Sequence, residues 1–535
     1  MSIAVASRLR RRVPLLALVL GTACSGATPT PTPTPAARPS LLVFITVDQF
    51  RPDYLERYGA QLNGGLARLL RGGAFFTDAH QDYAITETAP GHASTMSGRF
   101  PRSTGITRNV LGVNDSTSPL LDSSDPGASP FRFQGSTLTD WLVKANPATK
   151  ALSVSAKDRG AILPIGQSKQ QVYWFSTHNG RFTTSTWYAS RLPDWVREFN
   201  ARAHASQYAG KSWDLLRPES EYPENDDVIF EVDGDATVFP HRFPADTFRT
   251  DTLFRFTPLV DELTAKLALE GVRRLGLGQG PATDVLAISF SATDYVGHFY
   301  GPDSREQHDQ ILRLDRIVGG LLDTLYALRD STRIVVALTA DHGGGKIAEM
   351  AGRLRVDMAP LVTALRTRIR SAGGNPRAID FESGAFFIDS TRLGPRLTAE
   401  QVATWFLEAR RIPGVMRVDR FRDLAGRDTS RDEIARRWLH MFAPKGAPAV
   451  VVTLAEGNVY KFASSPYPYP IMATHGSPHR DDSHVPILFM GPPFRPGRYG
   501  RFVRTVDIAP TLARVLGVTP TEPLDGRPLQ EAIRR

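Results

Sequence analysis

Leu41-Leu-Val-Phe-Ile-Thr-Val-Asp48 is a run of apolar and β-branched residues closed by a carboxylate. Unbroken apolar character over strand length predicts a strand buried on both faces, which belongs inside a parallel sheet. Asp48 then stands at the carboxyl edge, where open α/β sheets collect their ligands, although an Asp in that position can also simply cap a turn. The same grammar recurs downstream. A strand over 284–290 runs into Ser-Ala-Thr-Asp294-Tyr-Val-Gly-His298, and one over 333–338 runs into Thr-Ala-Asp341-His342-Gly-Gly-Gly345. A third, Ala151-Leu-Ser-Val-Ser, leads to Ala-Lys157-Asp-Arg159-Gly160, where i and i+2 in extended backbone would aim Lys157 and Arg159 at one anion. Helical periodicity is expected over 54–71, 259–275, 307–328 and 508–516, with a last strand over 485–490. The fold class is therefore α/β, with a mostly parallel central sheet flanked by helices.

Two segments interrupt this alternation. Residues 165–250 are rich in Trp, Tyr, Phe and Pro with weak periodicity, and read as an irregular insertion near the substrate. Residues 346–473 carry helices near 360–371 and 399–410 and strands near 384–388 and 449–454, which suggests an inserted α+β cap. The core is thus expected in two parts, 41–345 and 474–535.

The chain has 535 residues, 41% apolar and 22% charged, enough for a sizeable core. A net charge of +9 and a pI near 9.6 raise the question of nucleic acid. The arginines are scattered, however, and no basic run is interleaved with aromatics, so no nucleic-acid partner is expected and a surface that attracts anionic substrates is the better reading. Arg8, Arg10, Arg11 and Arg12 precede an apolar run over 13–20 and then Gly21-Thr-Ala-Cys24. This is the layout of an export signal over 1–24, too short to span a membrane. Cys24 is the sole cysteine, so no intramolecular disulfide forms. A cysteine there resembles a bacterial lipoprotein acceptor, with Leu20 one position earlier than usual and Gly21 in its place. Two outcomes stay open, a lipid anchor on Cys24 in the outer membrane and an ordinary cleaved signal; both give a periplasmic protein. Residues 25–40 form a linker whose Thr-Pro alternation is extended and semi-rigid.

Tyr83-Ala-Ile-Thr-Glu-Thr88-Ala-Pro-Gly-His-Ala-Ser-Thr-Met-Ser-Gly98 carries the reactive group. Pro90 suits a first helical turn, which puts Thr88 near an N-cap beside free backbone N–H groups and the positive end of the helix dipole. An isolated Thr of this kind is usually an ordinary cap. What changes its weight is the set of residues expected at the strand ends: Asp48, Asp294, His298, Asp341 and His342, with His475 later. Three carboxylates and three imidazoles suit zinc. His80, His92, His178, His204, His241, His308, His440, His479 and His484 are assigned to surface or packing roles.

Val47-Asp48-Gln49, Thr88-Ala-Pro-Gly-His-Ala-Ser94, Lys157-Asp-Arg-Gly-Ala-Ile-Leu-Pro164, Ser-Ala-Thr-Asp294-Tyr-Val-Gly-His298 and Ala-Asp341-His-Gly-Gly344 together resemble the alkaline phosphatase superfamily. The nearest branch is the exported, phosphate-irrepressible (PafA-like) enzymes, related to type I phosphodiesterases/nucleotide pyrophosphatases. The resemblance implies an alkaline phosphatase-like core and two zinc ions. One would be held by Asp294, His298 and His475, the other by Asp48, Asp341 and His342, with Thr88 touching the second as nucleophile. It further implies that Asn109, Lys157 and Arg159 bind the substrate phosphate. The expected function is phosphate monoester hydrolysis through a phosphothreonine intermediate, acting on small phosphorylated substrates. A phosphodiesterase or nucleotide pyrophosphatase on the same scaffold is the alternative, and a non-catalytic binder of phosphorylated ligands a remote one. A sulfatase would need Cys or Ser in a Cys/Ser-x-Pro-x-Arg frame, and this chain has Thr88-Ala-Pro-Gly-His.

Overall fold

The strand Leu41–Val47 lies at the centre of a mixed sheet, paired in parallel with Asp284–Phe290 on one side and Ile334–Thr339 on the other. In the computed structural model, which describes residues 38–232, 236–461 and 470–534, every residue of this strand is buried. Its side chains alternate between two cores. Leu41, Val43, Ile45 and Val47 pack with the helices Leu259–Leu275 and Arg305–Leu328, while Leu42 and Phe44 pack with Thr88–Ser97 and Ile508–Leu516. The result is a three-layer α/β/α stack. Ala151–Ser155 and Gln171–Ser176 continue the parallel run beyond Asp284–Phe290. On the other flank His484–Met490 is antiparallel to both Ile334–Thr339 and Ala74–His80. Because the central strands run parallel, the segments after Val47, Ser155, Phe290 and Thr339 all leave the sheet on one edge.

The sequence reading is modified in three places. The single helix expected over 54–71 is two, Asp53–Arg57 and Gly65–Gly72. The break belongs to Asp315 on the long helix Arg305–Leu328. Its buried carboxylate accepts hydrogen bonds from the backbone N–H groups of Asn63, Gly64, Leu66 and Ala67 at 2.6–3.1 Å, which starts a new helix there. Gly65 permits the contact, since a Cβ would stand 2.5 Å from the Gly319 nitrogen.

Residues 165–250 are less irregular than expected. Gln171–Ser176 and the antiparallel Arg181–Thr183 extend the main sheet, their aromatic residues filling the core in place of a legible alternation. Among the described residues this segment also contributes no lining to the large cavity described below. Finally, Lys157 ends the extended stretch, and Arg159 already lies in the first turn of a short helix, Asp158–Ile162.

The segment 346–473 builds its own antiparallel sheet in the order Ile379–Glu382, Ala385–Ile388, Val450–Leu454, Val415–Arg420. Helices Ala359–Ser371 and Ala399–Phe406 cover it, with Phe386 and Phe406 stacked at 3.8 Å between ring centres. Residues 1–37, which carry the expected signal, Cys24 and most of the linker, lie outside the described residues.

Candidate metal and phosphate site

The strand-end edge brings six predicted ligands together as two triads. Asp294, His298 and His475 form one, Asp48, Asp341 and His342 the other, with ligating atoms of each triad within 4.8 Å of one another. Asp294 and His298 share a face of the helix Ala292–Tyr300 at i, i+4 spacing. His298 Nε2 lies 3.2 Å and His475 Nε2 3.5 Å from Asp294 Oδ1. In the second triad His342 Nε2 is 3.4 Å from Asp48 Oδ1 and 3.6 Å from Asp341 Oδ2. The rings of His342 and His475 stack at 3.6 Å, so the triads adjoin.

The protonation pattern tests whether these residues suit a cation. His298 Nδ1 is 2.8 Å from the Ala473 carbonyl, His475 Nδ1 2.8 Å from that of Thr86, and His342 Nδ1 2.8 Å from that of Gly343. A carbonyl only accepts, so each Nδ1 carries a proton and each Nε2 is the ring atom left to ligate. Each Nε2 faces a carboxylate oxygen. Asp48 Oδ1 and Asp341 Oδ2 are buried and accept no hydrogen bond. Imidazole Nε2 atoms gathered on carboxylates, with buried acceptors left over, describe a site made for positive charge, and backbone carbonyls orienting His ligands are what metal sites use.

Lys157 supplies part of that charge. Its Nζ lies 2.6 Å from Asp48 Oδ2 and also bonds Asp294, while 1% of its side chain is exposed. Burial alone would lower the ammonium, but Asp294 and Asp48 hold it well above its ordinary range. Burial, then Asp294 and Asp341, pushes Asp48 up, whereas Asp294 is held well down against burial by His298 and Lys157. Burial takes His342 down to about 3.

Thr88 is the first residue of the helix Thr88–Ser97, one position inside the expected cap, with Glu87 as N-cap. Its Oγ1 lies 3.4 Å from His342 Nε2. The helix reaches the second triad because residue 91 is glycine: a Cβ there would stand 2.3 Å from the Asp341 carbonyl oxygen. Asn109 secures the helix start, its Oδ1 accepting from Ala89 N at 2.8 Å. Asn109 and Arg159 line a cavity of about 910 Å³ together with His298 and His475, and Phe381, Tyr460, Arg366 and Lys461 close it from the 346–473 segment.

The geometry adds residues that the sequence reading left out. His92, assigned to packing, is fully buried; its Nδ1 donates to the Thr88 carbonyl at 3.0 Å and lies 3.2 Å from Asp341 Oδ2, and Ser289 Oγ meets its Nε2 at 2.9 Å. The i, i+4 spacing from Thr88 was the available signal. Glu87 accepts from Asn109 N at 2.7 Å and from Ser383 Oγ at 2.7 Å, which ties the 346–473 segment to the start of the helix. Gln49 donates from its backbone to Asp341 and from its amide to Asp294.

Comparison with known proteins gives the chain relatives over most of its length. The family model for type I phosphodiesterase / nucleotide pyrophosphatase matches residues 42–384. The chain is 29% identical to alkaline phosphatase PafA of Elizabethkingia meningoseptica, over 93% of this chain and 95% of the relative. It is 31% identical to alkaline phosphatase PhoK of a Sphingomonas species, over 92% and 91%. The crystal structure of wild-type PafA superposes with a TM-score of 0.85 at 28% identity, covering 93% of this chain and 99% of that one. A second PafA structure, with the same score, is of a mutant carrying a Thr→Ser change and Asn→Ala, Lys→Ala and Arg→Ala changes.

Proposed function

The chain belongs to the type I phosphodiesterase / nucleotide pyrophosphatase family and is a phosphomonoesterase of its alkaline phosphatase branch; we propose that it uses two zinc ions and passes through a phosphothreonine intermediate. The observation that carries this reading is the Thr88 hydroxyl standing beside two triads whose imidazoles turn their Nε2 atoms toward buried carboxylates. The residue types altered in the PafA mutant are those of Thr88, Asn109, Lys157 and Arg159, with the same spacing between Thr and Asn and between Lys and Arg, which supports giving these four the central roles.

Asp294, His298 and His475 would hold one zinc, and Asp48, Asp341 and His342 the other. When bound, the pair supplies the positive charge that makes a hydroxyl acidic and steadies a departing oxygen in an in-line displacement. Phosphoryl transfer asks the protein mainly for positioning and charge neutralisation. Thr88 Oγ1 forms a bond to phosphorus as the bond to the leaving alkoxide breaks. The alkoxide takes up a proton, and the threonine proton is lost to solvent. Water then attacks the phosphothreonine, releasing inorganic phosphate and restoring the hydroxyl. Throughout, the Arg159 guanidinium, the Asn109 amide and the Lys157 ammonium bind the non-bridging oxygens of the phosphoryl group. A monoester dianion gains most from that cationic clamp, because a diester bears one charge fewer and a bulkier substituent.

Hydrolysis of an aryl phosphate compared with its diester, together with bound-zinc analysis and acid quenching to trap a phosphorylated Thr88 peptide, tests the reading. Faster turnover of the diester would favour the phosphodiesterase alternative. For the cellular setting, the 1–24 signal supports export to the periplasm, with Cys24 as the lipid acceptor. Membrane release on Cys24→Ser substitution is the check, and a wild-type protein already free in the periplasm would exclude the anchor.

A further inference from the structure

Outside the two triads, a third group of metal-ligating side chains sits on the antiparallel pair Ala74–His80 and His484–Met490. His80 and His484 are directly opposite in register. Asp78 precedes His80 by two residues, which puts both on one face of the strand. The three offer donor atoms within 4.8 Å of one another, and the two imidazoles lie nearly parallel with centres 4.9 Å apart. His484 Nε2 is 2.9 Å from the Thr77 carbonyl, so it carries the proton and leaves Nδ1 as a lone pair. His80 Nε2 is 3.0 Å from Asp78 Oδ1, and Ser483 Oγ, 3.3 Å from its Nδ1, can accept a hydrogen bond from Nδ1–H in the tautomer that leaves Nε2 free to ligate.

A cation already leans on this group. Arg480 Nη1 lies 3.3 Å from Asp78 Oδ1 and 3.4 Å from His80 Nε2, yet 57% of its side chain is exposed, so it can swing out into water. Asp78 is itself 32% exposed, which opens a route from solvent to the donors. We infer that Asp78, His80 and His484 form a third metal site, taking a divalent transition-metal ion of the zinc class in place of the Arg480 guanidinium. Two imidazoles and one carboxylate, with water completing a tetrahedron, match the preferences of that ion. The bound ion would clasp the two strands where they continue into Gln81–Glu87, leading to Thr88, and into the loop bearing His475.

The test uses the full chain dialysed against excess Zn²⁺ and then freed of loose metal. Wild type should hold one more zinc per chain than His484→Gln, whatever the loading of the two triads, because the readout is a difference between otherwise equal proteins. Arg480→Ala should bind that additional ion about tenfold more tightly in chelator competition, since it removes a competing cation. Cobalt substitution should show a visible-band contribution present in wild type and absent in His484→Gln. Equal zinc content in wild type and His484→Gln overturns the inference. If His484→Gln does not fold, Arg480→Ala decides alone: unchanged zinc affinity overturns the site, and tighter binding supports it.

Discussion

Lys157 Nζ stands 2.6 Å from Asp48 Oδ2 and also bonds Asp294, so one buried ammonium joins a carboxylate from each triad. Three buried aspartates converge here, and Lys157 neutralises part of their charge in the metal-free chain. Lys157→Ala should therefore destabilise the metal-free protein by about 3 kcal/mol, the scale of a buried pair left without one partner. Zinc should shrink that penalty, because it brings opposite charge to the same carboxylates. Urea unfolding with and without chelator measures both values. An equal penalty in the two conditions would contradict the shared-charge account.

Thr88→Ala should lower monoester turnover by at least about 10³-fold while leaving zinc content unchanged, since removal of a nucleophile is among the largest single losses in an active site. Thr88→Ser keeps a hydroxyl and should retain measurable activity. A metal-replete Thr88→Ala protein that still turns over at the wild-type rate would remove Thr88 from the reaction.

Arg159 separates the two substrate classes. Arg159→Ala should slow monoester hydrolysis by about 10²-fold, in the range seen when one charge-stabilising donor is lost, and slow diester hydrolysis much less. The ratio of the two kcat/KM values is the quantity to follow. Equal losses would remove the argument that the clamp selects a dianion.

The site was legible in the sequence wherever chemistry and topology coincide. Asp48, Asp294, Asp341 and Lys157 each follow a strand whose apolar run could be read directly, so a parallel sheet gathers them without knowledge of any side-chain contact. What stayed hidden depends on partners remote in the chain. The break in the 54–71 helix is made by Asp315, and nothing local announces it. His92 acts through Asp341 and Ser289, and Glu87 through Ser383, so each looks like an ordinary polar residue when taken alone. Tyr173, Trp174 and Phe175 obscured a strand because aromatic residues on both faces erase the alternation.

His92 is the positioning residue these contacts identify. It hydrogen-bonds the carbonyl of Thr88 and packs its Nδ1 3.2 Å from a carboxylate oxygen of Asp341, so it holds nucleophile and ligand in one register. His92→Ala should weaken zinc binding by about 10- to 100-fold, as loss of a partner behind a ligand does. Chelator competition reads this directly, and KM for the substrate should move far less than zinc affinity. Unchanged zinc affinity would return His92 to a packing role.

Asp82 ties the segment before Thr88 to two other parts of the chain. Its fully buried carboxylate accepts from Arg504 Nε at 2.7 Å and from Arg436 Nε at 3.1 Å, on the helix Glu433–Met441, with His440 Nδ1 at 3.4 Å. Burial alone would raise this carboxyl, but His440, Arg436 and Arg504 hold it far below the ordinary range. A depressed folded-state pKa means that the unfolded chain binds the proton first. The contribution of Asp82 to stability is therefore full above the unfolded carboxylate value, near pH 4, and is lost progressively as pH falls below it. Asp82→Asn should cost about 3 kcal/mol at neutral pH, because it removes the one buried carboxylate on which the Arg436 and Arg504 guanidinium groups converge. The gap between wild type and variant should hold steady from pH 8 to about 5 and narrow below about 4. Urea unfolding at a series of pH values reads the gap, and one that stays constant down to the acid limit would mean that Asp82 serves through shape and not through charge.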